Sequence, residues 1–240
     1  MAVGTPIRDH ESNPTPFSIR VRDDFAAAGR VAAGANWLEA GAYGAGMVAA
    51  SVALDRRIDR FAADHESNRW VKGVTRAGNA LPWLALGASA AAAFDGSDPV
   101  RSRTGFAATE AGATAFLVAT GLKYAVGRAR PGDNVSVRDF KPFSTTSGFD
   151  AFPSRHPAVT WAVATPFALE YNAPWLYGVA ALSNIARVGS REHWFSDTVA
   201  GSLVGYGIGR VFWESGRTAR KGEPRVLLNP SGVHLAWELN

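Results

Sequence analysis

Three short stretches of the 240-residue sequence gather the groups that phosphate chemistry uses. The first, Lys123-Tyr124-Ala125-Val126-Gly127-Arg128-Ala129-Arg130-Pro131, closes an apolar run with three cations. Lys123 offers a point charge and Arg130 a planar fork to phosphoryl oxygens. Taken alone, the same cations suit the negative end of any helix. The second stretch, Phe152-Pro153-Ser154-Arg155-His156, falls where a loop meets a helix. Unpaired N–H groups at a helix start receive an anion, Ser154 adds a hydroxyl donor, and His156 stands where a leaving oxygen needs a proton. The third runs from Arg187 to Asp197 and spaces His193 and Asp197 four residues apart. In a helical turn that spacing lets the carboxylate reach the imidazole and fix its tautomer. Alone it is also an ordinary helix start. Together the stretches hold two of the five histidines, separated cations and an orienting carboxylate, whereas His10, His65 and His234 have no such company.

These groups need a scaffold, and the pattern between them is helical. Ala/Leu/Val-rich runs alternate with breakers such as Asp95-Gly96-Ser97-Asp98-Pro99, which predicts helices near 23–33, 36–63, 67–94, 100–127, 156–170, 173–187 and 195–214. The long connection from Pro131 to Pro153 has the length of a functional or mobile loop. Gly201, Gly205, Gly207 and Gly209 imitate a nucleotide-binding fingerprint, but no strand precedes them, so close helix packing is the reading adopted. Pro6, Pro14 and Pro16 oppose a helix and predict an irregular arm over residues 1–22. The helical domain then spans 23–220. Over 221–240 the period changes to two, with a turn at Asn229-Pro230-Ser231-Gly232, which predicts a terminal β-hairpin. The expected fold is an all-α, single-domain bundle with that short hairpin appended.

Composition excludes several classes. There is no cysteine, hence no disulfide framework or thiolate metal site. The charge of +4 suits an anionic partner, but the arginines are scattered, which argues against nucleic acid. The N-terminus lacks the apolar stretch of a secretory signal. Apolar windows such as 37–54 and 197–213 are short or interrupted, so they read as buried helices rather than membrane spans, and association with a membrane surface stays open.

The three stretches resemble the motifs of the type 2 phosphatidic acid phosphatases, a superfamily that includes bacterial non-specific acid phosphatases and vanadium haloperoxidases. Its signature is K-x6-R-P, then P-S-G-H, then S-R-x5-H-x3-D. Lys123 to Arg130-Pro131 completes the first motif; Pro153-Ser154-Arg155-His156 departs at the glycine; Ala186-Arg187 through His193 to Asp197 departs at the serine. The resemblance implies a phosphate cradle of Lys123, Arg130, Ser154, Arg155 and Arg187. It implies His193 as nucleophile, held by Asp197, and His156 as general acid and base. No metal or other cofactor is implied; vanadate enters only as an inhibitor or, in the haloperoxidase alternative, as prosthetic group. The implied substrate is a small or lipid phosphate, in a periplasmic or extracytoplasmic setting or at a membrane. Homo-oligomers are compatible with it. Ala186 is expected to cost little. Arg155 is expected to strain a position that favours glycine and, with Arg128 and Arg191, to enrich the pocket in positive charge, favouring diphosphates or acidic headgroups. A non-catalytic anion- or lipid-binding relative is the other alternative.

Overall fold

The computed structural model describes residues 17–132, 135–221, 225–229 and 232–236, with side chains through Arg217. Seven helices follow in order: α1 (Phe17–Gly34), α2 (Trp37–His65), α3 (Arg69–Ala93), α4 (Pro99–Val126), α5 (Arg155–Glu170), α6 (Trp175–Gly189) and α7 (Phe195–Lys221). Strands β1 (Arg225–Asn229) and β2 (Gly232–Ala236) then pair antiparallel, with Val226 opposite Leu235 and Leu228 opposite Val233.

The starts of α2, α3 and α4 follow from local capping. Asn36 accepts from the Glu39 N–H at 3.2 Å, and its own amide donates to the Glu39 carboxylate at 3.0 Å. Asn68 accepts from Trp70 N–H at 2.8 Å. Asp98 accepts from the Val100 and Arg101 N–H groups at 2.8 and 3.1 Å, with Pro99 as the first helical residue. The expected arm over 1–22 is corrected at its end: α1 already begins at Phe17. Phe17 packs near Phe94 and Phe106, and the Arg20 guanidinium lies 3.7 Å from the Phe106 ring centre, so aromatic contacts to the rest of the bundle support this first turn. The three prolines that argued against a helix all lie outside the described residues.

The bundle is drawn together by small residues. Its core includes Ala111, Ala115, Ala119, Ala158 and Ala162, closed by Phe212. Along α7 a glycine recurs every fourth position, and a Cβ would stand 2.2 Å from the Ser154 carbonyl oxygen at Gly201, 2.2 Å from that of Ala158 at Gly205 and 2.7 Å from that of Ala162 at Gly209. α7 therefore lies directly on the α5 backbone, which brings the starts of both helices to one end of the molecule. Close packing is what this glycine run does; Gly207, off the stripe, meets nothing. The same device joins α3 to α6, where a Cβ on Gly78 would collide with Ala186 and the Leu182 carbonyl. No helix among the described residues is long and apolar enough to cross a membrane.

Candidate active site

Gly127 ends α4 in the left-handed conformation (φ 59°), and a Cβ there would stand 1.9 Å from the Lys141 carbonyl oxygen. Only glycine fits so tight a turn. It reverses the chain between Lys123, in the last helical turn, and Arg128 and Arg130 beyond it. The following loop is held by its own backbone bonds, Arg130 N–H to the Gly148 carbonyl and Ala151 N–H to the Arg128 carbonyl, each 2.9 Å.

The cradle residues meet here. Buried Lys123 donates to the Asp150 carbonyl and lies 3.9 Å from its carboxylate. Burial lowers the Lys123 pKa to about 8, with Arg130 and Arg155 adding to the effect against the pull of Asp150. Arg130 forks onto Asp150 at 2.7 and 2.8 Å and also binds Glu192. Arg187 donates to Asn79 of α3 at 3.1 Å and lies 3.4 Å from Glu192, while its Nε is buried without a partner. Arg155 is the first residue of α5, and its guanidinium lies 4.6 Å from the Phe116 ring centre. Its backbone is helical, outside the left-handed region, so the strain expected of a non-glycine residue does not arise.

Ser154 precedes α5 and donates its N–H to the Asp197 carbonyl at 2.9 Å. Its hydroxyl does not cap the helix; it is fully buried and bonds no described residue. A buried hydroxyl without a partner carries a free-energy cost that an anion's oxygen would relieve. His156, one residue into α5, is half-buried; burial, then Arg187, His193, Arg155 and Lys123, lowers its pKa to about 3. His193 lies in the turn before α7 and is buried. Burial, with Lys123 and Arg187, holds its pKa well below the usual histidine range. Both shifts favour the neutral imidazole.

Three expectations are corrected. His193 Nδ1 hydrogen-bonds the Ala151 carbonyl at 2.6 Å, whereas the Asp197 carboxylate is 3.8 Å away. Because a carbonyl only accepts, Nδ1 carries the proton and Nε2 keeps its lone pair. Asp197 instead reaches back from the first turn of α7 to the Trp194 N–H at 2.8 Å and receives Arg128 at 2.6 Å. It supports the turn that carries His193 rather than the ring itself. Burial raises the Asp197 pKa to about 6 against the opposing effect of Arg128.

Arg128 adds no charge to the pocket. It is buried and shared between Asp197, Ser196 at 2.7 Å and Asp55 of α2 at 2.8 Å. Asp55, fully buried, also accepts from Ser196 N–H and Oγ at 2.8 and 2.7 Å. Arg191 is likewise turned to Asp59, at 3.0 and 3.3 Å. Asp55, Asp150, Glu192 and Asn79 escaped sequence reasoning. The signals were slight: Asp55 closes an apolar run just before Arg56-Arg57, Asp150 stands two residues before the second stretch, and Glu192 lies between Arg191 and His193 inside the third. Ala186 lies against Gly78, where a larger side chain would have no room.

Residues 105–221 match the family model described as PAP2 superfamily. A "Lipid A 1-phosphatase" of Porphyromonas gingivalis is 34% identical over 100 residues, covering 39% of this chain and 20% of the relative. A second, from Rhizobium johnstonii, is 36% identical over 96 residues, covering 37% of this chain and 38% of the relative. The matches thus span well under half of these relatives. No solved structure matches the chain.

Proposed function

The chain belongs to the PAP2 superfamily through residues 105–221, and from that premise we propose that it is a phosphohydrolase acting on lipid phosphates through a phosphohistidine. The observation that carries this reading is a neutral imidazole with a free Nε2, His193, among Lys123, Arg130 and Arg187, beside a buried hydroxyl without a partner. Such a group attacks phosphorus without first losing a proton.

In this mechanism the phosphoryl oxygens take the places now held by Asp150 and Glu192 on Arg130 and Arg187. The Ser154 hydroxyl and the Arg155 N–H in the first turn of α5 supply the remaining donors. His193 Nε2 forms the P–N bond as the P–O bond to the leaving group breaks. The Ala151 carbonyl holds the Nδ1 proton and stabilises the positive charge that develops on the ring. His156, neutral when the pocket is empty, takes a proton from the monoanionic phosphate ester, whose second pKa is about 6, and hands it to the departing oxygen. A water then gives a proton to His156 as its oxygen bonds to phosphorus and the P–N bond breaks; His156 passes that proton to the departing phosphate and is neutral again.

The "Lipid A 1-phosphatase" relatives support a lipid substrate. So do large apolar side chains turned outward, among them Leu38, Trp70 and Tyr43, which favour association with a membrane surface. The test is hydrolysis of p-nitrophenyl phosphate with EDTA present. Activity that survives chelation, is lost at least a thousandfold in His193→Ala, and leaves an acid-labile phosphorylated enzyme on quenching is expected. Full activity in His193→Ala overturns the reading.

A further inference from the structure

Below the catalytic end, α3, α5 and α6 do not close on one another. They leave an apolar groove of about 500 Å³, within the size range of small-molecule sites. Its floor is opened by small residues: Ala85, Ala88 and Ala92 of α3, Ala164 of α5, and Ala180 of α6. Larger groups, Phe167, Tyr171, Trp175 and Leu176, form its far walls.

The groove begins one helical turn from the site, along the face of α5 that carries His156. Thr160, at its near end, is one turn from His156 and donates its hydroxyl to the His156 carbonyl at 2.9 Å. Val163, Ala164, Phe167 and Tyr171 follow at helical spacing. On α3, Leu81 at the near end is two residues from Asn79, the partner of Arg187. The helices that present His156 and Arg187 to a phosphoryl group therefore also line the apolar trough leading away from it.

We propose that this groove binds one alkyl chain of the substrate while its phosphate sits at His193, making the α3/α5/α6 trough a chain-length selector. The inference rests on the phosphatase reading for the position of the head group. From Thr160 to Tyr171 the helix advances about 16 Å, at about 1.5 Å per residue. That length holds roughly a dozen carbons of an extended chain with bonds of about 1.5 Å. The lining is almost wholly apolar; its one cation, Arg101, is paired with Asp95, and the Ser89 and Thr160 hydroxyls are bonded to their own helices, so the ligand class that fits best is a saturated or lightly unsaturated hydrocarbon tail.

The experiment compares p-nitrophenyl phosphate with a series of monoalkyl phosphates in a fixed detergent. For the parent, kcat/KM should rise up to roughly fourfold per methylene once the chain enters the trough, then level off at roughly 16 carbons, the dozen of the trough plus about four that span the turn from His156 to Thr160. Ala88→Phe and Ala164→Phe fill the trough. Both should level off several carbons earlier and lose at least tenfold on the longest chain, with p-nitrophenyl phosphate turnover unchanged. A flat series in the parent, or the same series in the filled variants, overturns the proposal. A binding arm decides the matter without turnover: an alkyl phosphonate with a terminal diazirine should label residues of α3, α5 and α6 around Ala92, Phe167 and Leu176. Labelling elsewhere overturns it. Failure of p-nitrophenyl phosphate hydrolysis in the parent would count against the phosphatase reading, and the labelling map would still decide the groove.

Discussion

His193 is an imidazole whose proton is claimed by a backbone carbonyl and whose charge is suppressed by burial among cations. Its partner His156 is also held neutral, at about 3. The acid limb of activity is therefore not expected at the ordinary histidine value of about 6.5. A lowered pKa means that protonation, which would block the His193 lone pair, occurs only at more acidic pH, so kcat/KM should persist at pH 5. It should decline above about 6 as the ester loses the proton it brings, and phosphate binding should weaken further above about 8, where Lys123 becomes neutral. A kcat/KM profile with an acid limb near 6.5 would contradict this account. The motif residues were legible one by one because their types are those of phosphate chemistry. Arg128 and Arg130, two positions apart, were not distinguishable: only the fold turns one into a buried pair with Asp55 and Asp197 and the other toward the pocket. Asp55→Asn removes one charge from that buried group and should cost about 3 kcal/mol in urea denaturation. It should also lower kcat, because the turn bearing His193 loses its tie to α2.

At the scale of elements, the bounds of α2 to α6 were legible to within two residues, helped by Asn36, Asn68, Asp98 and Gly127, stop and start signals that need no tertiary context, whereas α7, expected to end at 214, runs on to Lys221. The start of α1 was not, because it depends on Phe94 and Phe106, which are remote in sequence. The fourfold glycine spacing in α7 announced close packing but not its partner. Gly205→Ala tests that contact: a methyl group 2.2 Å from the Ala158 carbonyl oxygen must push α5 and α7 apart. A loss of about 1–3 kcal/mol in thermal or urea unfolding is expected. A loss of activity out of proportion to the unfolded fraction should accompany it, because Ser154 and Asp197 are joined across the same seam. Gly207→Ala, facing open space, serves as the control and should be close to neutral or slightly stabilising.

At the scale of the whole molecule, the apolar side chains are not all inside. Leu38 is 86% exposed, Trp70 74% and Leu117 69%, on three different helices. Composition alone gave no sign of this, since it counts apolar residues without saying which way they face. If these surfaces meet lipid, the protein should co-sediment with phospholipid vesicles, and Leu38→Gln with Trp70→Gln should reduce the bound fraction several-fold without altering turnover of p-nitrophenyl phosphate. Unchanged partitioning of the double variant would assign those surfaces another role.

The carboxylates of Asp150 and Glu192, seated on Arg130 and Arg187, change what entry into the cavity means. In the proposed mechanism an arriving ester would not fall into a bare cationic well; it would trade places with resident counter-ions, which offsets part of the electrostatic gain, and the reverse exchange would help eject inorganic phosphate once the bond is cut. Discrimination among esters is thereby shifted from the anion, which all of them share, to whatever each one carries behind it.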